Sequence, residues 1–167
     1  MTFERGFEVA MAMDDATWRR HANPWSVWTR ATVLPLVILA IWSRTWFGSW
    51  SWVLVGISVL WMWLNPRVFA PPRSMDNWAS RGVLGERVWL NRRNVPVPPH
   101  HRFAPRILHT ITAVGTVFVV LGLIELAVWP TVLGAALIYC GKLWFLDRMA
   151  WLFRDMQEHP EYRSWLY

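Results

Sequence analysis

Three charged side chains stand in or against long apolar runs of the 167-residue chain: Glu125, Lys142 and Asp147. Within hydrocarbon each such charge costs about 2.5–3.5 kcal/mol on insertion scales, so each requires a counter-charge or an aqueous cavity. Glu125 shares a helical stripe with Gly115, Phe118 and Gly122, where small residues permit close helix packing. Its expected partner is Arg44, either as an ion pair pinning two helices or as part of a proton- or ion-handling site. Lys142 lies eleven residues beyond Thr131, roughly 16 Å along a helix and therefore near the bilayer centre. Its ammonium is expected to meet Glu125, Asp147 or an anionic ligand. Asp147 is about 140° further round the same helix, at a depth where His21, Arg30, Arg67 and His109 should gather, with Arg81 and Arg148 nearby. A carboxylate, guanidinium groups and imidazoles under an aromatic rim suit a phosphate- or carboxylate-bearing headgroup. The plainer reading is a satisfied polar network sealing the end of a helix bundle.

Other chemistries find little support. Adjacent His100 and His101 lie in a proline-rich stretch where solvated imidazoles are the simpler expectation, so no metal site is assigned. Facing imidazoles of His21 and His109 could ligate a haem iron, but no CxxCH is present and haem is only a weak alternative. The single Cys140 excludes an internal disulfide. Phosphate-binding glycine loops, HExxH and GxSxG are absent from the sequence, which leans away from an enzyme.

The elements that must position these groups are membrane helices. Hydrophobic residues make up 54% of the chain, including 15 tryptophans, too many for an ordinary soluble domain. A helix of roughly 20 apolar residues crosses the ~30 Å hydrocarbon layer. The runs predict transmembrane helices over residues 24–45, 50–64, 107–128 and 131–153. Asn23 and Pro24 should start the first, Pro35 should kink it, and Asn65-Pro66 should end the second. The expected fold is an all-α membrane four-helix bundle made of two hairpins.

Of the 17 basic residues, all but Arg44 lie away from the two short turns. The positive-inside rule then puts both termini and the middle loop in the cytoplasm, of a bacterial or archaeal inner membrane. Tryptophans form two belts, Trp42, Trp46, Trp50, Trp52 and Trp129 outside, and Trp25, Trp28, Trp61, Trp63 and Trp151 inside. That distribution favours anchoring over a cage for quaternary ammonium. Residues 1–22 and 154–167 are expected to be cytoplasmic segments, and nothing in the first resembles a cleaved leader. Residues 74–90, capped by Ser74, form an amphipathic helix expected to lie in the inner interface. Residues 91–106, with four prolines, form an extended basic linker. Two Asn-Pro pairs, at Asn23 and Asn65, are an internal echo of little weight.

The strings HANPWSVWTR from His21, NPRVFAPP from Asn65, WASRGVLGERVWL from Trp78 and GKLWFLDRMAWL from Gly141 resemble a family of small prokaryotic membrane proteins of unknown function. The resemblance implies a membrane protein and no activity. Because the basic residues flank apolar runs and form no stripe, the expected partners are anionic lipid headgroups and copies of the chain or a larger membrane complex, with nucleic acid excluded. The chain is thus expected to bind lipid or serve as an accessory module. The alternatives are an enzyme acting on a lipid headgroup, with Asp147 or His21 as base, and a transporter or channel subunit using Glu125 and Lys142.

Overall fold

The computed structural model describes residues 13–167, which are helical with no strand among them. The order is α1 (Asp15–His21), α2 (Pro24–Ala31), α3 (Val33–Trp42), α4 (Arg44–Phe47), α5 (Ser51–Val68), α6 (Trp78–Leu90), α7 (Phe103–Glu125) and α8 (Val128–Met156), with short 3-10 turns at Gly48–Trp50, Pro99–His101 and Arg163–Trp165. Three stretches, Pro24–Val68, Pro99–Glu125 and Val128–Met156, are long and apolar enough to cross a membrane. Their outer faces are apolar: Trp50, Leu60, Val117, Ile124 and Trp129 are all exposed. A face of that kind is at home in lipid. Residues 1–12 of the expected N-terminal segment lie outside the described residues.

Asn23 starts α2 as expected, its Oδ1 accepting from the Trp25 N–H at 2.9 Å, with Pro24 in the first turn. The helix then breaks at Thr32, one turn before Pro35. Proline has no N–H to donate four residues back, which would leave the Ala31 carbonyl orphaned. The Tyr139 hydroxyl of α8 donates to that carbonyl at 2.5 Å. Tyr139→Phe is therefore expected to cost about 1 kcal/mol of stability, the ordinary value of one hydrogen bond, read as a lowered midpoint of thermal unfolding in detergent.

Gly48 takes a left-handed φ of 54° where the first stretch turns, and α3 packs against α5. At the other turn Leu126 adopts φ 54° and ψ 35°, and the Ala127 N–H returns to the Gly122 carbonyl at 2.8 Å, closing α7 in the Schellman manner. The chain thus turns at Leu126-Ala127, ahead of the expected Trp129-Pro130. Pro130 sits in the first turn of α8, where its missing N–H is harmless. The α7–α8 contact is made through glycine. A Cβ on Gly115 would lie 2.8 Å from the Gly134 carbonyl oxygen, and one on Gly134 would lie 2.6 Å from that of Gly115. Gly122 and Gly141 repeat the arrangement one heptad on, against Thr131 and Thr112.

Four expectations need correction. Asn65-Pro66 does not end a helix, because α5 continues to Val68. Ser74 caps nothing: α6 begins at Trp78 behind Asn77, whose Oδ1 accepts from the Ser80 N–H at 2.9 Å. The apolar stripe of α6 does not face lipid headgroups. Ala79, Gly82, Val83, Leu84, Gly85 and Val88 are buried, with α6 laid on α8. Finally, the linker is not extended throughout, since α7 already begins at Phe103. The core that α6 joins includes Met75, Met149, Leu152, Phe153 and Tyr162.

Candidate functional site

Glu86 of α6 is a residue that no motif or apolar run singles out. It is the centre of the charged cluster. Its Oε1 accepts from Lys142 Nζ of α8 at 2.8 Å, with the Glu86 side chain 16% exposed and that of Lys142 62%. Arg30 of α2 and His109 of α7 add their charges to the same carboxyl. Burial alone would raise the Glu86 pKa, but the Lys142 and Arg30 charges outweigh it and hold the carboxyl below its ordinary value. The Arg30 guanidinium in turn lies against both ring nitrogens of His21, 2.6 Å from Nδ1. Burial, followed by the Arg30 and Lys142 charges, keeps the His21 imidazole well below its usual pKa and hence neutral. His109 packs tilted against Phe145 at 4.8 Å between ring centroids, and Lys142 Nζ stands 5.0 Å from the same ring.

Four of the expected headgroup residues, His21, Arg30, His109 and Lys142, are thus brought together by one carboxylate that spacing alone did not single out. The available signal was the pair of glycines beside it. Gly82 and Gly85 on α6 mark a face that closes on the backbone of α8, and Glu86, one turn beyond Gly82, lies on that face. The remaining residues go elsewhere. Asp147 Oδ1 accepts from the Trp78 indole N–H at 2.9 Å, and Trp78 stacks on Trp28 at 5.9 Å. Arg81 pairs with Asp76 at 2.5 Å. Arg67 lies over the Trp63 ring at 3.9 Å and Arg148 over Trp151 at 5.7 Å. Asp147 is thus held by an indole and Arg81 and Arg148 have other partners, whereas His21, the other candidate base, stays against Arg30.

Arg44 does not pair with Glu125. Its Nη2 donates to the Leu123 and Ile124 carbonyls, at 2.5 and 3.0 Å, so the cation caps the C-terminal end of α7, where the helix dipole favours positive charge. Glu125 is exposed, and Lys142 pairs with Glu86 in place of it. The haem alternative fares no better, because the ring nitrogens of His21 are turned to a guanidinium.

The cluster is held by strings that lie far apart in the sequence. Ser26 Oγ of α2 donates to Asn65 Oδ1 at 2.8 Å, and Asn65 Nδ2 donates to Thr29 Oγ1 at 2.8 Å. Asn23 Nδ2 donates to the Ala70 carbonyl at 2.8 Å, and Ser80 Oγ to that of Ala22 at 2.6 Å. The two Asn-Pro pairs are therefore both buttresses of one joint. A family model described as a family of unknown function, DUF6653, matches residues 2–165. The chain belongs to that family. No curated protein and no solved structure matches the chain. What this DUF6653 chain can do at the cluster follows from charge: Arg30 and Lys142 face the single carboxylate of Glu86, two cations to one anion among these groups.

Proposed function

We propose that the chain is a small polytopic membrane module that binds an anionic lipid headgroup at the Glu86–Lys142 cluster. The observation that carries this reading is the largely exposed side chain of Lys142 midway along an apolar helix, its ammonium tied to Glu86. Lys142 precedes Arg148 by six residues, about 9 Å of helix. That distance lies within reach of a snorkelling lysine if Asp147 and Arg148 mark the inner boundary of the hydrocarbon. A lipid phosphate there would neutralise the excess cation.

The same reading takes the chain as four crossings in two hairpins. The stretch Pro24–Val68 is 45 residues long, roughly 68 Å as one helix and over twice the hydrocarbon thickness. The reversal at Gly48 and the packing of α3 on α5 support two passes in its place. The arginine bias supports cytoplasmic ends and a cytoplasmic middle loop, in an inner membrane of prokaryotic type.

Purified protein reconstituted with phosphatidylglycerol or phosphatidylcholine tests the proposal through native mass spectrometry of retained lipid. The native chain is expected to prefer the anionic lipid about fivefold, corresponding to the ~1 kcal/mol a basic residue gains from an anionic headgroup. Lys142→Gln should abolish the preference. Equal retention of both lipids by the native chain would exclude this role for the cluster.

A further inference from the structure

At the far end of α8 a second constellation forms without involving the charged cluster. The 3-10 turn Pro99–His101 brings two adjacent imidazoles together, their centroids 4.3 Å apart. Both Nε2 atoms point at one oxygen of Asp155: His100 at 3.1 Å and His101 at 2.8 Å from Oδ2. One donor atom from each of the three residues lies within 4.8 Å of the others. His101 is 2% exposed, and its Nδ1 is buried with no partner, so the polar outlet of that ring is the nitrogen aimed at the carboxylate. His100 and Asp155, with side chains 64% and 41% exposed, leave the group open to solvent.

We infer that His100, His101 and Asp155 form a binding site for a divalent first-row transition metal ion, of which zinc is the representative. Two imidazole nitrogens and one carboxylate oxygen are the donor set of zinc, nickel, copper or ferrous iron, and a poor one for calcium or magnesium, which take oxygen. An ion about 2.0–2.2 Å from each donor needs those donors roughly 3.3 Å apart, which small side-chain adjustments of the present arrangement supply. Two exposed members give the ion an entry path and leave a coordination position for water. The bound ion would tie the segment leading into α7 to the end of α8. The nearby Arg148 guanidinium, whose charge reaches His101, opposes the ion and moderates its affinity. This inference reverses the expectation from sequence that the adjacent histidines are merely solvated.

The test is a titration of the full-length chain with Co2+ in detergent, after removal of any polyhistidine tag and treatment with chelator. One ion per chain is expected, with visible d–d absorption of cobalt in a nitrogen and oxygen environment, displaced by Zn2+. His100→Ala and Asp155→Asn change exposed side chains and leave the fold intact, as circular dichroism will verify. Each should weaken binding by at least the ~10- to 100-fold that losing even an outer-sphere partner costs. Absence of the cobalt spectrum in the native chain, or binding that survives both substitutions unchanged, would overturn the site and leave the trio a hydrogen-bonded latch.

Discussion

Replacing Glu86 by glutamine is expected to destabilise the folded chain by about 3 kcal/mol, the lower end of what removing one partner of a buried ion pair costs. The loss arises because Arg30 and Lys142 then face one another with no carboxylate between them. It stays at the lower end because the Lys142 side chain is 62% exposed and can turn away. Unfolding followed by circular dichroism in mixed micelles measures it. The double variant Glu86→Gln with Lys142→Met should recover part of the loss, since the Lys142 charge is then no longer set against that of Arg30. Failure to recover would mean that the pair is not the stabilising unit.

The same groups set the acid sensitivity. The pKa of His21 is depressed in the folded state, so its contribution is fully present above the ordinary imidazole value of 6.5 and is lost as the pH falls below it. That of Glu86 is also depressed, so its contribution disappears at still lower pH, below its ordinary 4.5. Both signs agree. The native chain should begin to lose stability below about pH 6.5, and Glu86→Gln should retain the histidine phase while losing the carboxylate one.

Gly85→Ala is expected to have an effect of at least similar size for a different reason. A Cβ at Gly85 would fall on the main-chain carbonyl of Met149. That carbonyl belongs to the interior of α8 and cannot swing aside as a side chain would. Overpacking of side chains costs roughly 1–3 kcal/mol, and a backbone collision is expected to exceed that range by lifting α6 off α8. Limited proteolysis between Leu90 and Phe103, slow in the native chain and fast in the variant, reports the detachment. Gly56→Ala is the control. Its Cβ would meet nothing within 4 Å, and alanine gains about 1 kcal/mol over glycine in a helix, so that variant should be as stable as the native chain or slightly more so.

The apolar runs and capping residues made the helices legible, because length, Asn23-Pro24 and the basic flanks act locally. What misled were prolines in positions where context decides. Pro66 is kept inside α5, whose neighbouring Asn65 is fixed by Ser26 and Thr29, contacts 36 and 39 residues away that no local pattern contains. The charged cluster was half legible. His21, Arg30 and His109 could be assigned to the depth of Asp147 and Lys142 to the bilayer centre, but depth says nothing about azimuth, and Asp147 faces an indole. Glu86 is invisible to a reading in which α6 lies on the lipid surface, where a glutamate needs no partner. Pressed onto α8, the same residue meets an ammonium.

That placement of α6 also bears on how the chain is made. Gly85 precedes its neighbour Met149 by 64 residues, which at about 5–20 residues per second of synthesis amounts to roughly 3–13 s. During that interval α6 has been translated while its partner has not, and its stripe of alanine, valine, leucine and glycine has no protein to rest on. An amphipathic sequence is suited to such a wait, because it can lie at the lipid surface until the last helix arrives. The period of its side chains thus describes a waiting position on the membrane, and its glycines describe the destination.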